Sequence, residues 1–153
     1  MDEHRLLLMF KQLSISLEQY QKVNMQSLDM SPAQALILSY LLARKDSLPL
    51  AANMQESLGI SRATISMHLK KLRQLGYIQT EIVSADNRKK EIILTQKAYD
   101  IEDKLKALQA RQEKCLGRGI PKMYMDKLEE NLQTMLSNIQ DGMHDDMNES
   151  NRR

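Results

Sequence analysis

The chain is poor in the features that many protein classes require. Its five glycines and three prolines in 153 residues are too few for a turn-rich all-β fold, and this favours helices. The single cysteine, Cys115, rules out an internal disulfide and points to a reducing, cytoplasmic setting. No apolar run approaches the roughly 20 residues that span a bilayer, so no membrane partner is expected. The opening MDEHRLLLMF lacks the basic start and long apolar stretch of a secretory leader. His4, His68 and His144 are far apart, with no cysteine or acidic group at ligand spacing. No metal site and no cofactor are therefore expected. No nucleophile–base pair, glycine-rich phosphate loop or paired carboxylate stands out, so a catalytic site is not expected either.

What is present is unevenly placed charge. The total of +2 says little. Residues 61–90 carry seven basic groups against two acidic ones, or +5, and the remainder holds 15 basic and 18 acidic residues, or −3. A basic segment in an otherwise acidic chain suits a polyanion. Alone, it reads equally well as a solvated face.

The apolar pattern is helical. Leu6, Phe10, Leu13, Leu17 and Tyr20 form a near-heptad seam, which predicts a helix from about His4 to Asn24. In SPAQALILSYLLAR, Ser31 suits an N-cap, Pro32 the first helical position and Gln34 a capping box. That helix is apolar on most sides and should be central. Pro49 opens a short third helix that Gly59 ends. Ser61 then caps SRATISMHLKKLRQLG, in which Ile65, Leu69 and Leu72 bury one face and Gly76 stops the helix. Two helices joined by a short Gly-containing turn, the second one basic, make a helix-turn-helix.

YIQTEIV and EIILT then read as strands around the turn SADNRKK. A helix-turn-helix followed directly by a hairpin is a winged helix. The predicted fold is thus mainly α with a small β-hairpin wing. Thr95 caps a long helix with Ala98, Ile101, Leu105, Leu108 and Cys115 on one seam, GRGIP breaks it, and a last helix carries Met125, Leu128, Leu132, Met135 and Ile139. These terminal helices form either an intramolecular bundle or, as symmetric half-sites favour, a dimer interface. The division is an N-terminal dimerisation helix over 1–30 and a winged helix-turn-helix over 31–95. C-terminal dimerisation helices over 96–142 and a polar, frayed tail over 143–153 complete one structural domain overall.

The stretch LGISRATISMHLKKLRQLGYIQTEIVSADNRKKEIILTQKA resembles the MarR family of bacterial transcription regulators. It carries a recognition helix, an L-x-x-x-G-x-I exit and a D-x-R-x(5)-L-T wing signature met by Asp86, Arg88, Leu94 and Thr95. DMSPAQALILSYLL is similar to the family's second helix. The resemblance implies a homodimer on pseudo-palindromic double-stranded DNA, usually repressing nearby genes. It further implies release by a small aromatic or anionic effector or by oxidants. Gln55 stands where the family usually has a small alanine, and Thr80 and Glu81 replace a frequent arginine. The first helix has no cysteine, unlike the oxidant-sensing branch.

Within the recognition helix, Arg62 and His68 are candidates for guanine acceptors, and Thr64 and Ser66 for a phosphate or a thymine methyl. Ser61 caps this surface, and Lys70 and Lys71 suit phosphates or plain solubility. In the turn, Arg88 suits a minor groove, Asp86 orders the wing, and Lys89 and Lys90 lie nearer phosphates. Cys115 reads as a small hydrophobe on a seam. The eleven methionines fill core and dimer seams or line an adaptable ligand cleft. Two other readings stand beside the ligand-responsive repressor. One is a DNA-binding regulator without an effector, and the other is a winged helix used as a protein-interaction module.

Overall fold

Two hydrogen bonds between residues three apart set the start of the central helix. Gln34 N–H donates to Ser31 Oγ at 3.3 Å, and Ser31 N–H donates to Gln34 Oε1 at 3.0 Å. This capping box satisfies two backbone donors that a helix start otherwise leaves unpaired. In the computed structural model, which describes residues 4–82 and 90–152, the chain order is α1 (Arg5–Asn24), α2 (Pro32–Ala43), a 3-10 turn (Ala51–Asn53), α3 (Met54–Leu58), α4 (Arg62–Gln74), β1 (Ile78–Ile82), β2 (Lys90–Leu94), α5 (Gln96–Leu116) and α6 (Lys122–Ser150). Asp86, Arg88 and Lys89 lie outside the described residues, as does the side chain of Lys90.

The chain divides into two compact units, Met1–Gln112 and Glu113–Arg153, where the sequence suggests one domain. In the first, α2 contributes Ile37, Leu38 and Leu41, each wholly buried, and the core closes on Met54, Ile65, Leu72 and Ile78. Each such side chain contributes about 1.5–3 kcal/mol by leaving water. The α3–α4 turn needs Gly59, whose φ of +64° is costly for any residue with a Cβ. Gln55 is exposed, so its departure from alanine leaves this packing untouched. The strands pair antiparallel, with Ile78 opposite Leu94 and Ile82 opposite Lys90. Ile92 and Leu94 face the core.

Thr95 precedes α5 as expected, but its hydroxyl turns back. It lies 2.6 Å from the Gly76 carbonyl and 3.0 Å from the Tyr77 carbonyl, and so ties the helix start to the strand entry. Ala98 and Leu105 are buried, and Ile101 and Leu108 pack against the same core.

In the second unit, α6 runs to Ser150, and the frayed tail expected from residue 143 is helical through that residue. Met143 and Met147, both exposed, extend the Leu132–Ile139 stripe at helical spacing. Neither α1 nor α6 has a fully buried residue. Ile139 is 63% exposed and Leu13 49%.

Candidate nucleic-acid interface

Helix α4 turns about 100° per residue, and Ile65, Leu69 and Leu72, all buried, fix its inward side. The opposite side is then Ala63, Met67, Lys70 and Gln74, and all four are exposed. Arg62, Ser66 and Arg73 flank this crest on one edge, exposed, and Lys71 does so on the other. Between Glu56 and Glu81 the chain has no acidic residue. Among the described residues, none of Arg62, Lys70, Lys71 and Arg73 pairs with a carboxylate. Arg73 instead donates to Thr80 Oγ1 at 3.3 Å, which holds its guanidinium beside β1. Among the described residues, four cations on α4 thus have no carboxylate partner.

Several candidates take other roles. Ser61 is an N-cap: its Oγ accepts from Thr64 N–H at 3.2 Å and donates to Thr64 Oγ1 at 2.8 Å. The two hydroxyls engage one another, and Thr64 is half-buried. His68 departs furthest from expectation. It sits one position before the buried Leu69, is half-buried, and its Nδ1 is enclosed without a hydrogen-bond partner among the described residues. Met67, absent from the sequence candidates, is the large apolar side chain exposed on this crest. The helical wheel of α4 already carried that signal.

The exit of α4 is held by a polar cluster that joins distant segments. The Tyr77 hydroxyl donates to Asp29 Oδ1. Lys97 Nζ donates to Asp29 Oδ2 at 3.0 Å and to the Leu75 carbonyl at 2.6 Å, and lies 4.3 Å from the Tyr77 ring centre. A cation at a helix C-terminus satisfies both the open carbonyl and the helix dipole. The Tyr77 hydrogen bond, and after it the Lys97 hydrogen bond and charge, hold the Asp29 carboxyl below its usual range against partial desolvation. Burial first, and then the Asp29 carboxylate, push the Tyr77 hydroxyl above its ordinary range. Beside this cluster lies an open hollow of about 420 Å³, lined by Leu28, Asp29, Tyr77, Lys97, Ile101 and Lys104 among others.

Cys115 is half-buried, with Arg118 Nη2 3.6 Å from its sulfur. Met25, Met30 and Met54 fill the core, whereas Met9, Met67, Met143 and Met147 are exposed. No described helix is long and apolar enough to cross a membrane.

Residues 28–89 match the sequence profile of the MarR family. Among solved structures, the chain is similar to the S. aureus MepR–DNA complex, at 20% identity over 91% of this chain and 99% of that one, with a TM-score of 0.80. It is similar to a MarR protein from Peptoclostridium difficile, at 16% identity over 92% and 90%, with a TM-score of 0.81. It is also similar to a MarR-family transcriptional regulator from Listeria monocytogenes complexed with a 26mer DNA, at 17% identity over 88% and 89%, with a TM-score of 0.78. At these identities the likeness establishes the fold. No curated protein sequence matches the chain.

Proposed function

We propose that the chain, whose residues 28–89 match the MarR-family profile, is a transcription regulator of that kind that binds double-stranded DNA as a homodimer and represses its targets. The observation that carries this reading is the exposed face of α4, with four cations and no carboxylate partner among the described residues. Such a helix suits a major groove, where cations at its edges reach phosphates and its crest reaches bases. The DNA carried by the S. aureus and L. monocytogenes relatives supports the same reading.

In this proposal Ser66, Lys70, Lys71 and Arg62 contact the duplex from α4. Asp86, Arg88, Lys89 and Lys90 act from the wing. Ser61 and Thr64 order the helix start, and His68 packs. The exposed seams of α1 and α6 are covered by a second copy. A small aromatic or anionic effector enters the hollow beside Tyr77, where Lys97 and Lys104 stand beside Asp29 and Asp100, and competes with Asp29 for Lys97. That exchange loosens the exit of α4.

Selection of duplexes from a random pool, followed by affinity measurements across salt concentrations, tests the reading. A log–log slope near −0.9 per phosphate contacted is expected. If no duplex is retained at low salt, the protein-interaction module takes its place.

A further inference from the structure

We infer that Met67 is a specificity-determining residue that reads the C5-methyl group of a thymine from the crest of α4. This inference rests on the duplex-binding reading and extends it to a base. Met67 is 59% exposed and lies opposite the buried Ile65–Leu69–Leu72 stripe. It is the one large apolar side chain of α4 that is exposed. Its neighbours on the exposed surface are Ala63 one turn before it, Ser66, Lys70 and Lys71.

The chemistry of that neighbourhood selects the partner. An apolar protein surface seated on Met67 would have to strip water from Lys70 and Lys71, an unfavourable exchange. The duplex major groove takes both kinds of group together. Its phosphate rims accept cations, and the one apolar feature on its floor is the thymine methyl. Met67 is unbranched and polarisable, so it can settle against a methyl group without a fixed rotamer. Ala63, exposed on the same face, is about 6 Å back along the helix axis, close to two base-pair steps of about 3.4 Å.

The test uses the full chain and the duplex it selects from a random pool. Each thymine is replaced in turn by deoxyuridine, which removes the methyl and nothing else. The wild-type chain is expected to lose about fourfold in affinity at one thymine per half-site, the worth of one buried methyl group. Met67→Ala should bind the thymine duplex about fourfold more weakly, be indifferent to deoxyuridine there, and keep the wild-type salt slope. A wild-type chain that binds DNA with normal salt dependence yet tolerates every deoxyuridine overturns the role of Met67 alone. So does equal loss by wild type and Met67→Ala at the same thymine. A chain that selects no duplex overturns the DNA reading, and this inference with it. Since Met67 is exposed, Met67→Ala and Met67→Gln should both show wild-type thermal unfolding.

Discussion

The Tyr77 hydroxyl and Asp29 Oδ1 are 2.5 Å apart although 48 residues separate them in the chain. This bond fastens the residue that follows the α4 exit to the segment before α2. Tyr77 is buried, and Asp29 is the partner of its hydroxyl. Tyr77→Phe should destabilise the first unit by about 0.5–1.5 kcal/mol, the worth of an ordinary hydrogen bond, because Asp29 is half exposed. A shift of the urea midpoint with an unchanged slope is the expected result. No shift would leave the contact without energetic weight.

The same pair predicts how stability changes with pH. The Asp29 carboxyl is held below its usual range in the folded chain. Its contribution is therefore present above the ordinary aspartate value of about 3.9 and lost as pH falls through the lowered one. Asp29→Asn should be less stable than wild type at neutral pH, and the gap should close as pH falls through that acid window. Tyr77 acts at the other end, because its hydroxyl is raised. Its contribution is full below the ordinary tyrosine value of about 10 and fades as pH rises beyond it. A gap between wild type and Asp29→Asn that is constant from neutral to acid pH would contradict the linkage.

His68 should behave as a packing residue. Its enclosed Nδ1 has no partner among the described residues, and such an atom costs about 1–3 kcal/mol when fully buried. His68→Leu removes the polar atom and extends the Ile65–Leu69–Leu72 stripe. The expected outcome is a melting temperature raised by the equivalent of about 0.5–1 kcal/mol, with base preference in the selected duplex unchanged. Altered preference at one base position would return His68 to the recognition surface.

The contrast between His68 and Ser31 shows which features were legible in the sequence. The capping box, the stop at Gly59 and the buried stripe of α4 are local. Each depends on residues within one or two turns, so spacing alone reveals them. The wing strands follow from alternation and a polar turn. For His68 residue type suggests a donor, whereas its place three after Ile65 and four before Leu72 sets it beside the buried stripe. The Tyr77–Asp29–Lys97 cluster could not be read, because packing brings together three segments that share no pattern. Met143 and Met147 were readable at helical spacing, but the acidic residues around them obscured the stripe.

The exposed seams predict an obligate dimer. Leu13 and Ile139 lie open on helices α1 and α6, which have no fully buried residue. Each leucine or isoleucine covered by a partner contributes about 1.5–3 kcal/mol. Sedimentation at micromolar concentration should give a dimer. Ile139→Asp and removal of residues 120–153 should each yield monomer or unfolded chain. A folded wild-type monomer at that concentration would overturn the assignment, as would a dimer unaffected by the truncation.

The wing supplies a test in which simple electrostatics and structural order predict opposite signs. β1 and β2 pair up to Ile82 and Lys90, and Asp86 and Arg88 stand between those positions in sequence. Arg88 is the residue proposed for the minor groove, where a narrow A·T-rich tract concentrates negative potential. Arg88→Ala should reduce affinity for the selected duplex strongly and leave thermal unfolding and dimerisation at wild-type values. Asp86→Ala removes a negative charge near DNA, so charge alone predicts tighter binding. An aspartate two residues before the arginine can instead hold turn backbone N–H groups through its carboxylate. On that reading Asp86→Ala binds more weakly, because a disordered wing costs more than one repulsion saves at a distance that salt screens. Affinities of both variants for one duplex at one salt concentration decide between the two. Tighter binding by Asp86→Ala together with wild-type binding by Arg88→Ala would reduce SADNRKK to a charged hairpin tip with no part in recognition.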